Sequence, residues 1–208
     1  MHLDVLGVSD FRVRGDYEEK IGDYKVYLTG VRMGRAESGI GLFIRNTIAR
    51  NIVSVGHVNE RIMWVDLAVG RIRTRIVSVY SPCEGADEDE VDKFYEALSD
   101  IVVRVNSKDR IVLMGDFNAR VGHRTEGYKR VIGRCGEDME ANGNGKGLLD
   151  FCASMGSALA NTSFKQKAIH LYTCVARGTT SIIDYILTDF EFRKSVRNVR
   201  VFRRFSDD

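Results

Sequence analysis

A chain of 208 residues with 44% hydrophobic content is long enough to bury a sizeable core, and its length favours one large domain or two small ones. Its 31 basic and 29 acidic residues nearly cancel to a formal charge of +2, which is too small to mark a nucleic-acid binder by itself. No run approaches the roughly 18 apolar residues of a membrane span or resembles a signal peptide, and Cys83, Cys135, Cys152 and Cys174 lack the C-x-x-C spacing of a zinc site, which argues for reduced thiols in an intracellular protein.

In chain order, period-two patterning predicts strands at Leu3 to Val8, Tyr24 to Leu28, Ile40 to Ile44, Ile52 to Val55, Ile62 to Leu67 and Ile72 to Tyr80. The first follows Met1 at once, an abrupt start that implies absent preceding sequence. In the last, Arg73 and Arg75 give way to Val77 and Val79, so it is expected to begin half exposed and end inside the protein. A helix is predicted over Asp87 to Val105, where apolar residues recur at three- and four-residue steps behind an acidic start that suits the helix dipole. The run Ile111 to Met114 is apolar on both faces, as in a central strand. A second helix is predicted over Lys146 to Met155, followed by strands at Ser157 to Ala160, Ile182 to Leu187 and Val199 to Phe202. Basic residues gather at Arg12 and Arg14 and again at Lys194, Arg197, Arg200, Arg203 and Arg204, as solvated faces or as phosphate contacts. With Pro82 the single proline, and with no linker-like stretch or repeat, residues 1–208 read as one domain.

The strongest local signal is Gly115-Asp116-Phe117-Asn118-Ala119 after the apolar strand. Asp116 can orient and deprotonate a water while Asn118 donates to a phosphate oxygen; an ordinary Asp/Asn turn is the alternative. Asp184 lies within Ile183-Asp184-Tyr185-Ile186-Leu187, where an ionised carboxylate is costly unless it is paired or hydrogen bonded, either structurally or functionally. Asp10 follows the first strand. Acids at several strand ends can meet on one rim, where oxygen ligands suit a hard cation.

The ordered segments DVLGVSD, VYSP, LMGDFNA, IDYIL and SDD resemble the endonuclease/exonuclease/phosphatase superfamily over nearly the whole chain. Within it, DVLGVSDFRVRG, RAESGIGLFI, GKGLLDFCASMGSALANTSF and LYTCVARGTTSIIDYIL resemble the endonuclease domain of non-LTR retrotransposons and craniofacial development protein 2-like proteins. The resemblance implies an α+β fold, a two-sheet β-sandwich flanked by helices in four layers (α/β/β/α), truncated at both ends. It implies Tyr80, Asp116, Asn118, Asp184 and Asp207 as catalytic residues, and Asp10, Asp207 and Asp208 as carboxylates for Mg²⁺ or Mn²⁺. Either Asp207 or Asp208 takes the terminal Asp role. The implied reaction is in-line phosphodiester hydrolysis that nicks DNA, in the nucleus rather than the cytoplasm. The implied partners are the DNA phosphate backbone and a reverse transcriptase domain of a parent polyprotein, with no membrane.

Departures from the family pattern set the expected activity. The family's first strand, with its active-site Asn, and its terminal His have no counterpart. Asp10 replaces Glu, which withdraws the carboxylate by about 1 Å, a displacement that can cost on the order of a hundredfold in rate. Cys174 stands where the retrotransposon branch has Trp, which affects packing. His123 is expected to be a solvated loop residue, not a substitute for the terminal His, and Trp64 a core residue. Very weak or absent nuclease activity is therefore expected. The alternatives are a phosphatase of a soluble phosphorylated substrate and an inactive domain that binds protein or chromatin.

Overall fold

Much of the first eighty positions carries β-branched and aromatic residues at two-residue spacing, and most of this span folds as strands. The computed structural model describes residues 3–34, 38–122, 126–176 and 178–202. His123, Ser206, Asp207 and Asp208 thus lie outside the described residues. The chain divides into two compact units, the first comprising Met1–Pro82 with Asp87–Asp116 and the second Cys83–Ala86 with Phe117–Asp208.

The first unit contains β1 (Val5–Val8), β2 (Asp16–Ile21), β3 (Tyr24–Gly30), β4 (Gly39–Arg45), the short α1 (Asn46–Ala49), β5 (Ile52–Asn59), β6 (Ile62–Val69), β7 (Ile72–Tyr80), α2 (Glu88–Val103) and β8 (Arg110–Asp116). One antiparallel sheet has the order β1-β4-β3-β2. The strands β5, β6, β7 and β8 follow one another in a second sheet, where β7 and β8 run parallel. Parallel neighbours need a crossover, and α2 supplies it, burying Phe94, Leu98 and Ile101 along one stripe. The two sheets pack face to face: Tyr27, Ile40, Leu42 and Ile44 from the first meet Met63, Val65, Leu67 and Ile76 from the second.

One charged pair is built into this packing. Asp66 and Arg75 are cross-strand partners, and Asp66 is only 1% exposed. The guanidinium grips both carboxylate oxygens, Nε to Oδ1 at 2.8 Å and Nη2 to Oδ2 at 2.9 Å, while Ser54 Oγ donates to Oδ2 at 3.0 Å. Arg75 also lies 3.9 Å from the ring centroid of half-buried Trp64 and donates to the Ile101 carbonyl of α2.

The second unit contains α3 (Gly143–Ser154), β9 (Ser157–Leu159), β10 (Cys174–Ala176), β11 (Thr179–Ser181) and β12 (Asp184–Asp189). The strands pair antiparallel as β9 with β12 and β10 with β11. Leu148, Leu149, Phe151 and Cys152 of α3 are buried, and Phe117 packs edge-on against Tyr185 with ring centroids 6.4 Å apart.

Several boundaries depart from the sequence-based expectations. Val199 to Phe202 forms no strand; the Val201 backbone instead bonds His170, N–H to carbonyl at 2.8 Å. The strand β2 was not expected, because DYEEKI is exposed throughout and carries no buried face to pattern. The short β10 and β11 also lack a patterned face. Burial along β7 rises toward its C-terminal end as expected, whereas β8 buries Ile111 and Leu113 but leaves Val112 and Met114 half-buried. All four cysteines are free. No helix among the described residues is long and apolar enough to cross a membrane.

Breaking a buried ion pair leaves one charge uncompensated, at a cost of about 3–5 kcal/mol. Asp66→Ala is expected to lower the unfolding free energy by about that amount in urea titration, and adding Arg75→Met to recover much of the loss.

Candidate functional site

In the first unit, the parallel register of β7 and β8 makes Tyr80 the direct partner of Asp116. Both lie at the C-terminal ends of their strands, and the Ser81 N–H donates to the Asp116 carbonyl at 2.8 Å. Gly115 has φ 146°, and a Cβ there would stand 2.0 Å from the Val79 carbonyl oxygen, so only glycine permits this approach. Tyr80 is further held by Arg61, whose guanidinium lies 5.5 Å from its ring centroid and donates to its carbonyl at 3.3 Å. A cation over the ring adds positive potential beside the phenol. Asp10 lies beyond β1, exposed, with φ 57°.

In the second unit, Asn118 and Asp184 are placed by one set of hydrogen bonds. The Phe117 N–H donates to the Ile183 carbonyl at 2.9 Å, tying the residue before Asn118 to the residue before Asp184. Asn118 has φ 47°, a left-handed conformation that asparagine tolerates better than most residues. Its carbonyl accepts from Asn144 Nδ2 at 3.1 Å. Asn142 caps α3, accepting from the Gly145 N–H at 2.8 Å and from the Arg120 N–H at 2.9 Å. Glu84 accepts from the Gly143 and Asn144 N–H groups at 3.1 and 3.0 Å. Asn161 clamps β12 by donating to the Asp184 carbonyl at 3.1 Å and accepting from the Ile186 N–H at 2.8 Å. Thr173 Oγ1 accepts from the Ile183 and Asp184 N–H groups.

Tyr80 and Asp116 are therefore brought side by side in one unit, and Asn118 and Asp184 are linked in the other. Sequence reasoning missed Arg61, Asn144, Asn161 and Thr173. Among these, only the Asn142-Gly143-Asn144-Gly145 run carried a signal, that of a helix N-cap. It moves the start of α3 three residues ahead of the expected Lys146.

Donors for a divalent cation do not gather to the same degree. Among the described residues, no group of three or more His, Cys, Asp or Glu side chains is placed to hold a metal ion. The described part of the implied donor set, Asp10, thus forms no metal cluster.

The family model described as endonuclease-reverse transcriptase matches residues 74–207, a span that includes the partnered Tyr80 and Asp116, Asn118 and Asp184. The chain belongs to that endonuclease-reverse transcriptase family. Craniofacial development protein 2 from Tragulus javanicus is 28% identical over 202 residues, covering 96% of this chain and 34% of that protein. The Bos taurus protein is 28% identical over the same length, covering 96% and 33%. The chain thus spans about a third of the length of the curated relatives it matches. Among solved structures, the endonuclease domain of TRAS1, a telomere-specific non-LTR retrotransposon, is similar with a TM-score of 0.53 at 12% identity, covering 81% of this chain and 69% of that one. Truncated TDP2 from Caenorhabditis elegans has a TM-score of 0.51 at 9% identity, covering 89% and 70%. An endonuclease/exonuclease/phosphatase family protein from Leptotrichia buccalis has a TM-score of 0.50 at 15% identity, covering 80% and 60%. These likenesses show the fold, the α+β sandwich of the endonuclease/exonuclease/phosphatase superfamily.

In this endonuclease-like domain, two carboxyls of the second unit sit where burial opposes their charge. Burial pushes the Asp184 carboxyl above its ordinary value, partly offset by a hydrogen bond from Thr173. Burial likewise raises Glu137, which is 3% exposed and accepts from the Ile182 N–H, while the charge of Arg120 pulls the other way. A folded-state pKa above the unfolded one contributes stability that is full at low pH and lost as pH rises through the folded value. The stability gained by Glu137→Gln or Asp184→Asn, relative to the parent chain, is therefore expected to grow as pH rises from about 4 to 7 in urea midpoint series. A gain that is constant across that range would show that neither carboxyl is perturbed.

Proposed function

We propose that this endonuclease-like domain hydrolyses phosphodiester bonds in DNA with divalent-cation dependence, that it derives from a non-LTR retrotransposon, and that its turnover is weak. The observation that carries the reading is the pairing of Tyr80 with Asp116 at the ends of adjacent parallel strands, because reacting groups in open sheets collect at such carboxyl ends. Asp116 positions and deprotonates the attacking water. Asn118 donates to a phosphoryl oxygen, and Tyr80, with the Arg61 cation over its ring, stabilises charge developing at phosphorus. Burial raises the proton affinity of Asp184, which makes it a candidate for proton chemistry in the same reaction.

Mg²⁺ or Mn²⁺ is the ion this family's chemistry calls for, with Asp10 as the first candidate ligand and Asp207 and Asp208 outside the described residues. Among the described residues, these donors do not assemble into a cluster. Asp10 is one methylene shorter than the family's Glu, and this is the physical basis for slow turnover. A DNA substrate implies work in the nucleus, and the family description favours a reverse transcriptase domain as partner. The shortened side chain at Asp10 also favours a second reading, a non-hydrolytic domain that binds protein or chromatin.

Relaxation of supercoiled plasmid separates the two readings. The expected outcome is slow nicking that needs Mg²⁺ or Mn²⁺, stops with chelator, and falls by about 10²–10⁴-fold in Asp116→Ala. Asp10→Glu is expected to speed it by about tenfold to a hundredfold. Nicking indifferent to Asp116→Ala would refute the assignment, and DNA binding with no metal-dependent nicking would establish the second reading.

A further inference from the structure

The second unit carries a surface pocket of about 600 Å³ lined by Tyr128, Lys129, Arg134, Ser163 and Arg193 together with Ile132 and Gly133. None of these side chains belongs to the machinery assigned above. Three cationic residues, Lys129, Arg134 and Arg193, line the pocket, and no carboxylate is among its described lining residues. The first unit's arginine-lined cavity differs in that Asp66 and Asp109 share it. Arg193 is pre-set: its Nε donates to Ser163 Oγ at 3.0 Å and its Nη1 to the Arg130 carbonyl at 2.9 Å. That anchoring fixes the plane of the guanidinium before any ligand arrives, so less side-chain entropy is lost on binding. Ser163, whose oxygen accepts from Arg193, keeps its own hydroxyl hydrogen to donate. Lys129 and Arg134 are exposed, and no ion pair holds either of them among the described residues. Asp150, the acid that Tyr128 reaches, is engaged by the Tyr128 hydroxyl.

Three lining cations, a hydroxyl donor and no carboxylate among the described lining residues make a receptor for a tetrahedral oxyanion. We infer that this pocket grips a backbone phosphate of the DNA other than the scissile one, and so acts as an exosite that sets register on the duplex. This inference rests on the reading of DNA as substrate. Contacts of this kind are indifferent to base sequence and are weakened by salt.

The test uses the full chain and a fluorescein-labelled mixed-sequence DNA duplex, followed by anisotropy across a salt series. Lys129→Gln combined with Arg134→Gln is expected to weaken binding about tenfold and to make the logarithmic salt slope shallower by about one. Both side chains are exposed, so thermal unfolding of the double variant is expected to match the parent. Parent-like affinity and slope in a folded double variant overturn the exosite even if the parent nicks DNA, which leaves the hydrolase reading standing. Loss of affinity in the double variant with no nicking by the parent supports the exosite while the hydrolase reading falls. A parent chain that binds no duplex overturns both. A phosphoserine peptide or inorganic phosphate that is bound through Lys129 and Arg134, with duplex affinity unchanged by their loss, reassigns the pocket to another phosphate source and overturns the DNA assignment.

Discussion

The carbonyl oxygen of Val79 occupies the space that a side chain at position 115 would need. This backbone-to-backbone approach is the constraint on which the candidate site depends. It holds β8 in parallel register on β7, so that Tyr80 and Asp116 finish level with one another. Past Asp116 the chain turns, and Phe117 becomes fully buried while its N–H reaches Ile183. Alternation does the rest, leaving Asp116 and Asn118 half-buried on either side of the buried Phe117. A larger residue at 115 would disturb strand register and the presentation of the acid together.

Buried charge is handled in two ways in this chain, and the difference separates scaffold from site. Asp66 is almost completely buried, but two guanidinium nitrogens and a serine hydroxyl satisfy it. Such a carboxylate is neutralised by its surroundings and has nothing left to offer a substrate. Asp184 is half-buried and Glu137 buried, and burial is the leading cause of their raised affinity for a proton. Groups poised in this way are candidates for proton chemistry, whereas a gripped ion pair is a structural element.

The parts legible in the sequence are those written in consecutive residues. The change from Arg73 and Arg75 to Val77 and Val79 announced the burial gradient of β7, and the GDFN turn announced itself by a glycine after an apolar strand. The sandwich followed from strand patterning together with the family resemblance. The unreadable parts depend on distant partners. Arg61 reaches Tyr80 because β6 and β7 are neighbours, and Asn161 reaches β12 across 23 and 25 positions of sequence. Glu84 finds the start of α3 at a separation of 59 or 60 residues. No local period encodes such pairings. The strand β2 was invisible for the opposite reason: its six exposed residues are held by pairing with β3, not by burial.

Fold likeness at 9–15% identity places the backbone but not the chemistry, so chemistry must be argued from individual side chains. Backbone conformation helps here. Among the described residues, Asp10 and Asn118 are the two non-glycine residues with positive φ. Both are positions that the superfamily resemblance assigns to the reaction. Aspartate and asparagine visit the left-handed region more readily than other residues with a Cβ, and glycine would adopt it more readily still. Glycine would also remove the carboxylate and the carboxamide. The backbone therefore takes its left-handed turns at two places where a short polar side chain is kept instead of glycine.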